Sequence, residues 1–235
     1  MSFDVYVGSF TRYITGDWDN QGQQLARETG VPYQLIRADE TEEAPPPAGE
    51  VRQAVVNWRA AINGGLGEHL PDPLNWDEGD ETPYFTERPG WPGYASLLLT
   101  AAYDDHPDLK RPETLPEEWG DDPAYKASSE KNAETRYPAL IAANLWLPGE
   151  FDFMFGVEDL GGNERSIASC EALLEELREL NERTFKGNAE DLASWRAKTL
   201  DDDAPVDAHA RTALALLMAL AESAVANKLP MMLDY

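Results

Sequence analysis

The chain has 235 residues, which suffices for one large domain or two small ones with a sizeable hydrophobic core. It carries 44 acidic residues against 19 basic ones, a formal net charge of −25. Because so negative a surface repels phosphates and anionic lipids, we expect neither nucleic acid nor a membrane as a partner. A basic protein partner is favoured, since complementary charge speeds encounter. The alternative is that the acidity serves solubility alone, as in a salt-adapted organism.

Cysteine content and apolar runs bear on the cellular compartment. A single cysteine, Cys170, excludes an intrachain disulfide, and its helix-like setting predicts a buried structural thiol. Residues 1–7 lack the basic region and the long apolar run of a signal peptide. The longest apolar run, 213–221, has 9 residues, whereas a membrane span needs about 20. We therefore expect a cytoplasmic protein.

The first quarter of the chain predicts a strand, a helix and a second strand. Residues 3–7 alternate apolar and polar side chains, which indicates a half-buried strand. Residues 17–30 predict a helix with an aspartate near its start and a glycine at its end. Residues 31–37 predict a strand at a sheet edge, because they include a proline. An acidic, proline-rich connector follows at 39–50.

The next segments differ sharply in periodicity. Residues 51–62 have the apolar spacing of an amphipathic helix. Residues 66–92 have neither a helical nor a strand period, yet they contain five prolines and four large aromatic side chains. A segment of this length without regular structure is usually disordered or functional, and its aromatic residues argue against disorder.

The middle of the chain predicts two helices and a strand. Residues 93–103 predict a buried helix, and an acidic, proline-bearing connector follows at 107–122. Residues 132–147 predict a helix that is interrupted near Pro138. Residues 151–155 alternate as a strand would.

The last third has the clearest helical patterns. Residues 166–185 follow the three-four spacing of an amphipathic helix, and a shorter helix is predicted around 192–195. Residues 206–226 are apolar on nearly all sides, so this helix is expected to be central. Residues 229–233 predict a short strand.

These elements predict one α+β domain over residues 1–235, mostly helical, with a small, mainly antiparallel sheet. The sheet is expected to combine the strands near the two chain ends with 31–37 and 151–156. The acidic connectors near 39–50 and 107–122 are expected to be exposed.

Motifs that carry chemistry are missing from the sequence. There is no glycine-rich phosphate loop and no G-x-S-x-G nucleophile motif. The three histidines, His69, His106 and His209, lack metal-ligand spacing, and residues 77–81 fail the spacing of a calcium loop. We therefore expect no enzymatic activity, no catalytic residues, no bound metal and no cofactor. A carboxylate-dependent hydrolase is the alternative, because the fold and not sequence spacing places a pair of catalytic carboxylates.

The distribution of charge gives the candidate site. Residues 39–122 contain 20 acidic and 5 basic side chains, a net charge of −15 and more than half of the total. Within 66–92 the acids alternate with aromatics, a composition typical of protein-binding faces, where aromatics anchor and rim charges steer. The alternative is that the aromatics belong to the core and the acids are solvated. The predicted partner-binding residues are Trp76, Asp77, Glu78, Asp80, Glu81 and Tyr84.

Five stretches carry a resemblance that spans nearly the whole chain. They are MSFDVYV at 1–7, PLNWDEG at 73–79, TPYFT at 82–86, WLPGEFD at 146–152 and LPMMLDY at 229–235. Together they resemble bacterial immunity proteins that are encoded beside polymorphic toxin genes, of the contact-dependent or type VI kind. The resemblance implies a cytosolic protein that binds a cognate toxin domain, expected to be basic, and occludes its active site. An immunity enzyme that reverses a toxin's modification is the alternative.

Overall fold

The structure is a computed structural model, and it describes residues 3–30, 45–130, 133–201 and 203–234. Within these residues, six strands form one sheet in the order β2-β1-β6-β3-β5-β4. All neighbouring strands are antiparallel except β3 and β5, which are parallel. The strands are β1 (Asp4–Val7), β2 (Phe85–Glu87), β3 (Leu145–Leu147), β4 (Phe155–Glu158), β5 (Glu164–Ser169) and β6 (Met231–Asp234).

Helices make up most of the remaining regular structure. In the described ranges, two short 3₁₀ turns, Gly67–His69 and Trp119–Asp121, accompany them. None of the described helices combines the length and the apolar composition that a membrane crossing requires. The α-helices are α1 (Phe10–Thr15), α2 (Gln21–Thr29), α3 (Ala48–Leu66), α4 (Gly90–Asp105), α5 (Pro123–Ser129), α6 (Pro138–Ile141), α7 (Cys170–Arg183), α8 (Ala189–Arg196) and α9 (Val206–Asn227).

One face of the sheet, the helical face, is covered by α4, α7 and α9. Sheet residues such as Val5 and Trp146 pack there against a core rich in leucine and alanine, including Leu177 and Leu217. Helices α4 and α9 approach closely at Gly93, where a Cβ atom would lie 3.4 Å from the Cβ of Ala213. The central position predicted for α9 is therefore confirmed.

The opposite face, which we call the aromatic face, is covered by α1, α3 and the irregular segment 70–84. The alternate sheet residues, among them Tyr6, Leu147 and Met232, pack against Phe10 and its aromatic neighbours. Because both faces are covered, all four residues of β1 are buried, whereas the sequence predicts a half-buried strand.

The predicted α+β class is confirmed: the chain is mostly helical and its sheet is mainly antiparallel. The helices predicted over 51–62 and 93–103 are confirmed as parts of α3 and α4. The predicted strand 31–37 and residues 39–44 of the first connector lie outside the described residues. Most of the second connector, 107–122, is exposed.

Three predicted elements need correction. The helix expected over 132–147 is wrong: Pro138 begins the short helix α6, and the chain then enters β3. Residues 166–169, expected in a helix, belong to β5, and Ser169 caps α7 by accepting from the Ala172 amide. The strand expected from residue 151 begins only at Phe155.

Candidate partner-binding face

The irregular segment 70–84 is fixed by side chains of α3. The Asn63 side chain donates to the carbonyl of Leu74 at 3.0 Å and accepts from its amide at 2.8 Å. Arg59 donates to the carbonyl of Trp76 at 2.5 Å, and its guanidinium lies 4.8 Å from the centre of that indole ring. Side chains therefore satisfy backbone groups that regular secondary structure would otherwise pair.

Trp76 belongs to the core of the aromatic face. Its side chain is 4% exposed. The indole ring packs edge to face with Phe10 at 5.7 Å and with Trp58 at 6.3 Å between ring centroids. A side chain enclosed in this way cannot anchor a partner at the surface. Trp76 therefore fits the alternative interpretation, in which the aromatic residues of this segment belong to the core.

Glu78 is turned inward as well, and its side chain joins three parts of the aromatic face. It is 6% exposed. Its carboxylate accepts hydrogen bonds from the amides of Phe10 at 3.1 Å and Thr11 at 2.7 Å, and from the Trp76 indole nitrogen at 2.6 Å. These amides open α1 and have no partner within that helix. Glu78 therefore ties segment 70–84 to α1 and is not available as a rim charge.

Three of the predicted acids, Asp77, Asp80 and Glu81, remain exposed around one turn. Asp77 accepts from the Thr82 hydroxyl at 2.7 Å and from the Gly79 amide at 3.0 Å, and these hydrogen bonds hold the pKa of its carboxyl below the usual range. The turn closes with a hydrogen bond from the Thr82 amide to the Gly79 carbonyl. We call residues 77–81 the acidic turn.

The acidic turn is also tied down from outside. Arg52 of α3 forms an ion pair with Asp80 and donates to the carbonyl of Glu78 at 2.9 Å. Arg12 of α1 donates to the carbonyl of Asp80 at 2.6 Å. The Asp80 side chain is nevertheless 81% exposed, so its carboxylate faces water despite the pairing.

Tyr84 is half-buried, and its contacts are internal. Its ring stacks on that of Tyr6 at 6.3 Å between centroids, and the guanidinium of Arg12 lies 5.2 Å from its ring centre. Its hydroxyl accepts from the amide of Asp19 at 3.3 Å. The structure thus brings Asp77, Asp80 and Glu81 together at the surface and places the two aromatic residues among internal contacts.

An apolar cleft of about 280 Å³ lies beside this face. Phe10, Trp58 and Met232 are among its lining residues. Among the described residues that line it, Asp159 is the one carboxylate, and it is bound by Arg165 at 2.7 Å. Burial raises the pKa of Asp159, but backbone and arginine hydrogen bonds outweigh burial and lower it. The described lining residues therefore do not provide the paired carboxylates of a hydrolase in this cleft.

Other candidate chemistry is sparse in the part of the chain that the structure describes. No group of three or more histidine, cysteine, aspartate or glutamate side chains there could hold a metal ion. Cys170 is fully buried, and this burial raises the pKa of its thiol. Comparison of the chain with protein-family models, curated proteins and solved structures finds no match.

Proposed function

We propose that this protein is an immunity protein that binds a basic toxin domain through the acidic turn and occludes its active site. The observation that carries the proposal is the rigid presentation of Asp77, Asp80 and Glu81 on one exposed turn. The resemblance of five stretches to immunity proteins supplies the class of partner. The proposed place of action is the cytoplasm, where the toxin would meet its inhibitor.

Charge supports the choice of a basic partner. A net charge of −25 attracts a cationic protein at long range, and complementary patches raise association rates. The ion pair between Asp80 and Arg52 is compatible with this role, because an exposed pair contributes about 0–1 kcal/mol and exchanges readily for a partner's cation.

Rigidity supports the choice of the acidic turn over other acidic segments. The buried Glu78 carboxylate and the Arg52 guanidinium fix the backbone on which the three exposed carboxylates stand. A binding loop that is ordered before it meets its partner loses less conformational entropy in the complex. Because Trp76 is enclosed, the proposed face works through carboxylates and not through that aromatic anchor.

The proposal predicts a toxin gene beside the gene of this protein, and association rates against the product of that gene test it. Replacing Asp77 and Asp80 with asparagine and Glu81 with glutamine removes three charges. We expect association at low salt to slow about tenfold and to lose much of its salt dependence. Dissociation is expected to change less, because rim charges act mainly through encounter.

A matched control removes three exposed acids from the second connector, namely Asp108→Asn, Glu117→Gln and Glu118→Gln. The control has the same net charge as the first variant, so it separates a local face from the overall charge. Equal slowing in the two variants would show that the acidic turn is not the binding site. If the parent protein does not bind the toxin domain at all, the proposed function is wrong.

A further inference from the structure

A second cavity, of about 380 Å³, lies where α4 begins. Its walls come from four places: the first residue of α2, the junction of β2 and α4, the end of α8 with the residues that follow it, and the first half of α9. We call it the α4 cavity. Its position is independent of the acidic turn, and none of the predicted partner-binding residues lines it.

Two buried polar atoms of α9 at this cavity lack a partner. His209 is 6% exposed, and its Nε2 atom makes no hydrogen bond to any described residue. The hydroxyl of Thr212, one turn further along α9, is also buried and without a partner among them. Buried polar atoms are nearly always satisfied in native proteins, so two unsatisfied atoms at one cavity point to a ligand that fills it.

The backbone at the cavity is suited to a negative ligand. Helix α4 has 16 residues, and Pro89, at its N-cap, provides no side-chain hydrogen bond. Pro89 and Pro92 have no amide hydrogen, so in the first turn the amide of Gly90 is a donor without an acceptor inside the helix, and the helix dipole places partial positive charge there. Gly90 has a φ angle of +66°, a conformation that favours glycine, so the chain enters the helix without a side chain at this point.

The charge of the lining has the opposite sign to that of the protein. Among the described residues that line the α4 cavity, three are cationic, Arg88, Arg196 and Lys198, and one is anionic, Glu87. Arg196 forms an ion pair with Glu87, and Arg88 pairs with Asp4 behind the cavity at 3.0 Å. Lys198 is exposed at the rim. This local excess of cationic side chains contrasts with the net charge of −25 for the whole chain.

We propose that the α4 cavity binds a small oxyanion, the phosphate or carboxylate group of a small molecule. The Nε2–H group of His209 and the hydroxyl of Thr212 donate hydrogen bonds to its oxygens, and the amide of Gly90 adds a further donor. Lys198 supplies charge from the rim. No bond is made or broken: the site recognises an anion, and this function is separate from toxin binding.

Nuclear magnetic resonance of the histidine rings provides the direct test. The chain has three histidines, so comparison with His209→Leu assigns the signals of His209. Titration with inorganic phosphate and, separately, with acetate is expected to shift the His209 signals in a saturable way. The anion that binds more tightly identifies the oxyanion group that the cavity recognises. Sodium chloride at matched ionic strength is expected to leave them unmoved. If neither phosphate nor acetate shifts His209, the proposal is wrong.

Two variants assign the donors. Thr212→Val removes the hydroxyl and Lys198→Gln removes the rim charge, and each is expected to weaken binding about tenfold. Lys126→Gln, at an exposed lysine of α5, removes the same charge elsewhere and is expected to leave the affinity unchanged. If Lys126→Gln and Lys198→Gln weaken anion binding equally, the effect comes from the overall charge and the proposed site is wrong.

Thermal unfolding separates ligand binding from folding. Without anion, Thr212→Val is expected to be at least as stable as the parent, because it removes an unsatisfied hydroxyl. With the bound anion, the parent is expected to gain stability by mass action, and the variant is expected to lose this gain. A Thr212→Val protein that is less stable without anion, yet gains as much from it as the parent, would mean that the hydroxyl has an internal partner and no ligand.

Discussion

The two faces of the sheet are held together by different kinds of interaction. On the helical face, long helices satisfy their own backbone groups and bury leucine and alanine. On the aromatic face, the irregular segment 70–84 depends on single side chains such as Asn63 and Glu78 to satisfy the backbone. The helical face should therefore respond to lost volume and hydrophobicity, and the aromatic face to the loss of individual hydrogen bonds.

The largest effect is expected on the helical face. Leu217→Asp places a charge at a fully buried position of α9 with no partner, which costs about 4 kcal/mol or more and unfolds much of the protein. Thermal unfolding followed by circular dichroism measures the loss. Glu222→Asp, at an exposed position of the same helix, is the control and should melt near the parent. A Leu217→Asp protein that melts like the parent would contradict the central position of α9.

On the helical face, Glu176 makes the same kind of interaction that Glu78 makes on the aromatic face, in which a carboxylate accepts hydrogen bonds from backbone amides. Its carboxylate accepts from the amides of Ala139 at 2.9 Å and Leu140 at 2.8 Å, at the start of α6. Loss of hydration at this half-buried carboxylate outweighs the two amide hydrogen bonds, which lower its pKa, and with smaller contributions from neighbouring acids it raises the pKa to about 8. The folded protein therefore holds the proton more tightly than the unfolded chain does.

The sign of the pH dependence follows from this difference. A carboxyl whose pKa is raised by folding contributes stability that is present below about pH 4 and is lost as pH rises through 8. In Glu176→Gln, the fall in unfolding free energy between acidic and alkaline pH should shrink by on the order of 3 kcal/mol. Chemical denaturation across this range measures it, with the exposed Glu175→Gln as control. Parallel profiles for the parent and the Glu176 variant would refute the shift.

A medium effect is expected where the aromatic face depends on Glu78. Glu78→Gln keeps the shape of the side chain but replaces an acceptor oxygen with an NH₂ group that faces donors, at a cost of about 2 kcal/mol. Glu81→Gln, three residues away and exposed, should change the unfolding free energy by less than about 0.5 kcal/mol. Urea denaturation of both variants gives the comparison. Equal midpoints would mean that Glu78 does not tie segment 70–84 to α1.

The smallest effect is expected at the surface of the same segment. Asp80→Asn removes an exposed ion pair with Arg52, so the stability should fall by less than about 1 kcal/mol, and less still at high salt. Urea denaturation at two salt concentrations checks this. A loss as large as that of Glu78→Gln would show that the exposed carboxylates, too, hold the aromatic face together.

The same contrast explains what the sequence could and could not predict about the fold. Helices α7 and α9 repeat an apolar spacing that any local window contains, so their existence was predictable. The stretch Leu145–Leu147 is equally apolar, but it becomes β3 because β5 and β6 lie on either side of it. Such pairing across distant parts of the chain overrides local propensity and leaves no local pattern.

The candidate site was predictable to a similar extent. Composition located the acidic turn, and Asp77, Asp80 and Glu81 are exposed there. It did not reveal that Glu78 points inward, because its hydrogen-bond donors at Phe10 and Thr11 are 68 and 67 residues away. The α4 cavity was missed for the same reason, since segments distant in sequence converge to form it.

The place of β6 in the sheet has a consequence for biosynthesis. This strand lies between β1 and β3, so without it the sheet falls into two pieces, β2-β1 and β3-β5-β4. A ribosome makes β6 about 220 residues after β1, which at typical translation speeds is a delay of roughly 10 to 45 s. For that time β1 has an open edge and apolar side chains on both faces, which is the form most prone to pair with another nascent chain. The order of strands thus sets the period during which a newly made molecule needs protection from its neighbours on the same messenger RNA.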